Sequence, residues 1–256
     1  MENANGIVPS VGGGPISDHA VPVAMKASVR AFDEAVQAVR AGEIDADTAS
    51  DQLITLLTEK ELLGLLDGDS PRRLLPFIPA LLGIPGIRFS DGARGVVIGA
   101  ATAFPVTMAR AATWDPALEE RVGVAIGAET RARGANYSAS VCVNLLRHPA
   151  WGRAQECYGE DPVLVGQMGS ALTRGVRVHT MACVKHFALN SMENERFEVD
   201  VAVDDHALHE VYLPHFKAVV DAGADSVMSA YNRVRGEYMD VNRALLTDVL
   251  LDEWGF

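Results

Sequence analysis

Four short stretches hold side chains of the kinds that bind or transform polar ligands. Asp91 and Arg94 lie in SDGARG, and Arg147 and Arg153 lie in NLLRHPAWGRAQECYGEDP. Lys185, His186, Asn190, Glu193, Glu195 and Arg196 lie in VKHFALNSMENERF, and Tyr231 and Asn232 in MSAYN. Carboxylates accept hydrogen bonds, ammonium and guanidinium groups donate them, and imidazoles and amides do both. A polyhydroxylated ligand calls for that mixture, because every sugar hydroxyl donates and accepts. A phosphate site or a structural network of ion pairs would use many of the same residues. Composition alone leaves those alternatives open.

The surrounding elements are expected to bring these stretches to strand ends. Val29, Phe32, Val36 and Val39 step by three and four along one helical face, with Gly42 as a stop. Leu53, Leu56 and Leu57 mark a second helix, and Thr58 with Glu61 has capping-box spacing for a third that Gly68 closes. From about Leu82 the pattern alternates. Strands are expected over Ile84–Phe89, Tyr137–Asn144, Met181–Phe187 and Ser226–Ala230. Asp115-Pro116 and Asp161-Pro162 each put a cap residue and an N1 proline in the preferred order. Asp204 opens another helix, with Leu208, Val211, Tyr212, Phe216 and Val219 inward and a kink at Pro214, and Asn242 opens a last one.

This order argues for a parallel α/β fold. No Gly-rich dinucleotide loop follows the first strand and no P-loop lysine is present, so a (β/α)8 TIM-type barrel fits better than a nucleotide-binding sheet. About five or six strand candidates fall short of the eight that close such a barrel. We therefore expect a flexible lead-in over 1–25, a helical segment over 26–80 and a barrel, incomplete at its C-terminus, over 81–256.

Composition narrows the partners. The net charge is -12, from 34 acidic against 22 basic side chains, which disfavours nucleic acid and anionic lipid. No basic-then-apolar leader and no run of roughly 18 apolar residues is visible, so a cytoplasmic location is expected. Three cysteines, Cys142, Cys157 and Cys183, have no CxxC spacing, and neither a disulfide nor a zinc site is expected. His206 and His209 stand three apart on a helix, where surface histidines are the simpler reading than a metal pair. No cofactor is implied.

Seven segments in order resemble family 3 glycoside hydrolases, especially bacterial β-glucosidases: FSDGARG, AATWDP, NLLRHPAWGRAQECYGEDP, CVKHFALNSMENERF, LHEVYLPHF, SVMSAYNRVRGE and LLTDVLLDEWGF. The match runs over about residues 58–256. The resemblance implies that Asp91 accepts hydrogen bonds from two hydroxyls of the terminal sugar, and that Arg153, Lys185, His186, Arg196 and Tyr231 complete the pocket. It implies a small-molecule or oligosaccharide β-glucoside as substrate. Lys185 and His186 are adjacent, and neighbours on a regular strand point to opposite faces; a bulge or cis peptide is therefore implied between them. Arg153 and Arg147 could instead be structural partners for Glu156 and Glu160; ligand contact is favoured for Arg153 and a structural role for Arg147.

Retaining hydrolysis needs two carboxyl groups about 5–5.5 Å apart. The resemblance places the nucleophilic aspartate a few residues beyond Trp254-Gly255-Phe256 and the acid/base in a later domain. The expectation is a chain that carries the sugar pocket, is inactive by itself and is poorly soluble or only partly ordered. The rival readings are a non-catalytic sugar-binding remnant and a phosphate-binding barrel enzyme in which Arg153, Lys185 and Arg196 hold the anion.

Overall fold

The two Asp-Pro pairs open the two longest helices of the region that carries the candidate residues. The computed structural model describes residues 23–66 and 86–256, the side chains of 23–30 excepted. Two compact units divide these residues, 23–66 in the first and 86–256 in the second.

In the first unit, α1 (Val23–Ala41), α2 (Ala46–Ile54) and α3 (Glu59–Leu66) follow one another. Gly42 ends α1 with φ +72, the left-handed cap that glycine adopts without a Cβ clash. Asp45 caps α2 by accepting from the Thr48 amide at 2.7 Å. The capping box forms in full. The Thr58 amide donates to Glu61 Oε2 at 2.9 Å, and the Glu61 amide donates to Thr58 Oγ1 at 3.3 Å. Gly68 and the start of the strand expected at Ile84 lie outside the described residues.

The second unit is built on a parallel sheet of β1 (Phe89–Asp91), β2 (Tyr137–Cys142) and β3 (Met181–Phe187), with β5 (Ser226–Ser229) beyond β3. Between β3 and β5 the chain forms β4 (Asp200–Val201), which pairs with β6 (Arg233–Val234) and, through it, β7 (Glu237–Tyr238) in a separate small sheet. Four strands make the main sheet among the described residues, fewer than the five or six expected. Its order leaves β1 and β5 as edges.

Helices α4 (Thr107–Ala111), α5 (Pro116–Ala132) and α6 (Pro162–Arg177) lie between these strands in sequence. Asp115 accepts from the Leu118 amide at 2.9 Å and Asp161 from the Val163 amide at 2.8 Å. Helices α5 and α6 cross with almost nothing between their backbones. A Cβ on Gly175 would stand 2.1 Å from the Glu120 carbonyl oxygen, and one on Gly123 2.6 Å from that of Leu172. Only glycine permits that approach. The core beneath joins Val141 and Val143 of β2 and its exit with Met168 and Leu172 of α6 and Val219 beyond.

Pro214 has no amide hydrogen, so the helix opened by Asp204 cannot pass it with regular bonds. After α7 (Asp205–Ala207) the chain widens over Leu208–Tyr212, and the Leu213 amide bonds the Leu208 carbonyl five residues back at 3.0 Å. A new helix, α8 (Pro214–Asp221), then starts with the proline in its first turn. Of the five residues expected inward, Leu208, Phe216 and Val219 are buried, and Val211 and Tyr212 are half-buried against the core. Phe187 packs edge-on to Phe216 and to Trp254. The last helix, Ala244–Glu253, is wound in the same wide turns and is capped by Asn242, which accepts from the Leu245 amide at 3.0 Å. No helix of the described residues is long and apolar enough to cross a membrane.

Candidate active site

Asp91 is the last residue of β1 and Lys185 lies late in β3, so strand pairing through β2 brings both to the same end of the sheet. The Lys185 ammonium, buried to 1% exposure, forms an ion pair with Asp91 Oδ1, whose side chain is 51% exposed. A buried cation therefore holds a carboxylate that faces solvent. Gly92 turns the chain directly after it at φ +127, where a Cβ would sit 1.8 Å from the Gly95 carbonyl oxygen. The Gly92 amide donates back to Asp91 Oδ1 at 2.7 Å.

The irregularity implied between Lys185 and His186 is present. The pairing of β3 with β5 shifts register between Lys185 and Phe187, and the Lys185–His186 peptide is cis. His186 is fixed by Asn144, just beyond β2. The Asn144 amide nitrogen donates to the His186 carbonyl at 2.8 Å, and its oxygen accepts from the His186 main-chain amide at 2.9 Å. These main-chain partners determine which way the amide faces, because one can only accept and the other only donate. The same oxygen lies 3.0 Å from His186 Nδ1, so Nδ1 must carry the hydrogen and Nε2 is left as an acceptor in the neutral ring.

Burial drives the His186 pKa down to about 2, helped by the charges of Arg153, Lys185 and Arg196. The ring is therefore neutral throughout the physiological range. His215 in α8 is likewise pushed down to about 3, by burial against a small opposing bond at Val211. Both rings take up a proton near pH 6.5 only after unfolding. Their contribution to stability is complete above that pH and is lost as the pH falls through the window toward 3. Each histidine should contribute a slope of about 1.4 kcal/mol per pH unit in that window. We predict that urea midpoints fall steadily from pH 6.5 to about pH 5 and that His215→Gln removes one proton's share. A flat profile over that interval would contradict the neutral-ring assignment.

Arg153 follows Gly152 at the opening of a single 3-10 turn, Ala154–Glu156, and grips Glu156 with two bonds, at 2.9 and 2.7 Å. Arg196 donates to Glu193 Oε2 at 2.7 Å, and its guanidinium lies 4.8 Å from the Phe197 ring and 4.9 Å from the Tyr231 ring. Glu193 Oε1 is buried without a partner among the described residues. Arg147 is no partner of Glu156, which belongs to Arg153; it lies 5.7 Å over the Tyr212 ring instead.

Asp91 and Arg153 line one cavity of about 600 Å³, with exposed Arg94 also in its lining. Lys185 is tied to that cavity through Asp91. Tyr231 is not in it. Together with Phe197 and Tyr238 it lines a second cleft of about 580 Å³, and the Arg196 guanidinium lies over its ring. Of the six predicted residues, Asp91 pairs with Lys185 and shares a cavity with Arg153, His186 follows Lys185 in β3, and Arg196 and Tyr231 touch each other at a second depression, where the sequence suggested one.

Some residues of this region escaped the sequence reading. Asn144 read only as the end of a strand. Arg110, Glu119 and Tyr158 form a buried network: Arg110 Nε donates to Glu119 at 2.9 Å, and the Tyr158 hydroxyl donates to the same carboxylate at 2.5 Å. Their spacing carries no motif, and only a charged pair expected inside a core would have suggested them. The three cysteines are free and buried, and His206 and His209 are exposed.

The profile of the glycosyl hydrolase family 3 N-terminal domain matches residues 78–256. The chain belongs to glycosyl hydrolase family 3. This family 3 chain is 40% identical over 215 residues to a β-glucosidase of Rhizobium radiobacter, covering 80% of this chain and 26% of that protein. It is 41% identical over 191 residues to β-glucosidase BoGH3A of Bacteroides ovatus, covering 68% of this chain and 26% of the relative. Among solved structures, β-glucosidase 3B from Thermotoga neapolitana in complex with glucose aligns with a TM-score of 0.78 at 35% identity, over 80% of this chain and 32% of that one. The family 3 chain thus spans about a quarter of the length of the curated relatives it matches.

Proposed function

We propose that this chain is the sugar-binding part of a retaining β-glucosidase, and that its pocket takes the terminal glucosyl group of a β-glucoside. One observation carries the choice of ligand. Each of the three cations named for a phosphate site already has a carboxylate: Lys185 has Asp91, Arg153 has Glu156, and Arg196 has Glu193. A phosphate would have to displace or share those partners. A neutral polyol uses the arrangement as it stands, donating hydroxyl hydrogens to Asp91 and His186 Nε2 and accepting from the lysine and arginines. The β-glucosidase names of the relatives and the glucose complex of the structural neighbour support the same reading.

The same ion pairs bear on turnover. Asp91, Glu156 and Glu193 are all engaged, and none of them stands as a free nucleophile opposite a free acid. In this reading the nucleophile and the acid/base are carboxyl groups other than these three. Calorimetry with glucose and D-glucono-1,5-lactone, beside an aryl β-glucoside assay, tests both halves. We expect binding without turnover by the chain alone. Competition by inorganic phosphate but not by glucose would overturn the ligand assignment, and hydrolysis by the chain alone would overturn the division of labour.

A further inference from the structure

We propose that Arg110, with Glu119 and Tyr158, is a positioning device that clasps the two walls of the 600 Å³ cavity to each other. One wall is the loop from Ala93 to Pro105, which supplies most of the cavity lining; the other is the turn that carries Arg153 and Glu156. A single guanidinium closes the neck of the loop. Its Nη2 donates to the Ala93 carbonyl at 3.0 Å and its Nη1 to the Pro105 carbonyl at 2.8 Å. Its third arm, Nε, is held by Glu119, where the ion pair is buried at 4% and 0% side-chain exposure.

Glu119 also receives the hydroxyl of Tyr158, two residues after Glu156, the partner of Arg153. Both walls are therefore tied to one carboxylate on the first turn of α5. Burial, and next the Glu119 charge, keep the Tyr158 phenol well above its usual pKa, so it remains the donor. A second strut from α5 supports the loop midway: Glu129 accepts from the Thr102 amide at 3.0 Å and from its hydroxyl at 2.5 Å. Inside the loop the Phe104 amide reaches the Arg94 carbonyl at 2.9 Å. None of Arg110, Glu119 and Tyr158 lines the cavity. Their effect on a ligand must pass through the walls they hold.

The chemistry explains why arginine is needed. Lysine keeps the charge but is a point donor, and cannot span two carbonyls and a carboxylate in one plane. Phenylalanine in place of Tyr158 keeps the ring and removes only the hydroxyl that joins the second wall to Glu119.

The inference rests on the sugar-pocket reading only where affinity is concerned, so its test has two arms. In Arg110→Lys and Tyr158→Phe, hydrogen exchange of the 256-residue chain should be about tenfold faster at amides of 93–105 and 153–157, with β2 and β3 unchanged. Glucose affinity should fall about tenfold in each variant, and the double variant should be no weaker than Arg110→Lys alone, because the two act through one carboxylate. Tyr158→Phe keeps the test alive if Arg110→Lys does not fold. Unchanged exchange in both walls, or equal acceleration in β2 and β3, would overturn the clasp. A chain that binds no glucose before substitution overturns the sugar pocket instead, and the exchange rates still decide the clasp.

Discussion

Asp91→Ala should weaken glucose binding by this chain at least a hundredfold while the fold survives. In the proposed pocket Asp91 accepts from two sugar hydroxyls, and bonds to a charged group contribute about 1.5–3 kcal/mol each. Losing two is about 3 kcal/mol or more, and every 1.4 kcal/mol is about tenfold in affinity. The cost to stability is separable. It comes from the ammonium of Lys185, buried and left without its carboxylate, at about 3–5 kcal/mol; the half-exposed aspartate itself adds little. Pairing Asp91→Ala with Lys185→Met should therefore restore much of the stability, since an apolar side chain replaces a stranded charge. It should not restore binding. Calorimetry and urea melts on the three variants make the comparison, and glucose affinity within about threefold of the unaltered chain in Asp91→Ala would sink the pocket assignment.

Gly175→Ala should cost about 3 kcal/mol, a large effect for one methyl group. Alanine is the better helix former by about 1 kcal/mol, so the sign runs against propensity. The reason is what the methyl meets. The Glu120 carbonyl oxygen at 2.1 Å, the Val124 nitrogen at 2.7 Å and the Gly123 Cα at 2.8 Å all belong to the α5 backbone, and none can rotate away. The helices must separate, opening contacts around Leu172 and Val176. Gly169→Ala is the informative contrast. Its methyl meets Val143 Cγ1 at 2.6 Å and Val219 Cγ2 at 2.9 Å, side-chain atoms that can shift. A smaller loss is expected there. If urea melts rank the two the other way, the backbone-contact argument is wrong.

Much of the second unit was legible from local chemistry. The Asp-Pro pairs mark the starts of α5 and α6 because cap and N1 preferences act within one turn. Met181–Phe187 is a strand over the span its apolar run suggests. The kink expected at Pro214 appears as a wide turn followed by a fresh helix. What escaped was non-local or too short to show a period. The small sheet of β4, β6 and β7 consists of two-residue strands, which carry no alternation. Glu119 and Tyr158 are 39 residues apart and meet only in the fold. The wide turns of Ala244–Glu253 have no residue that accounts for them. Tyr231 was expected in one cavity with Asp91 and lines a second one, because sequence places a residue at a strand end without giving the direction of its ring.

The cancellation of charge around His186 has a kinetic consequence. A cation beside its own carboxylate projects only a short-range dipole, and an uncharged imidazole adds nothing at distance. A sugar should therefore arrive by unsteered diffusion, at a rate that ionic strength barely changes. Anionic molecules, meanwhile, approach a body carrying twelve excess negative charges. Added salt should thus leave the association rate of glucose untouched while easing the approach of acidic saccharides.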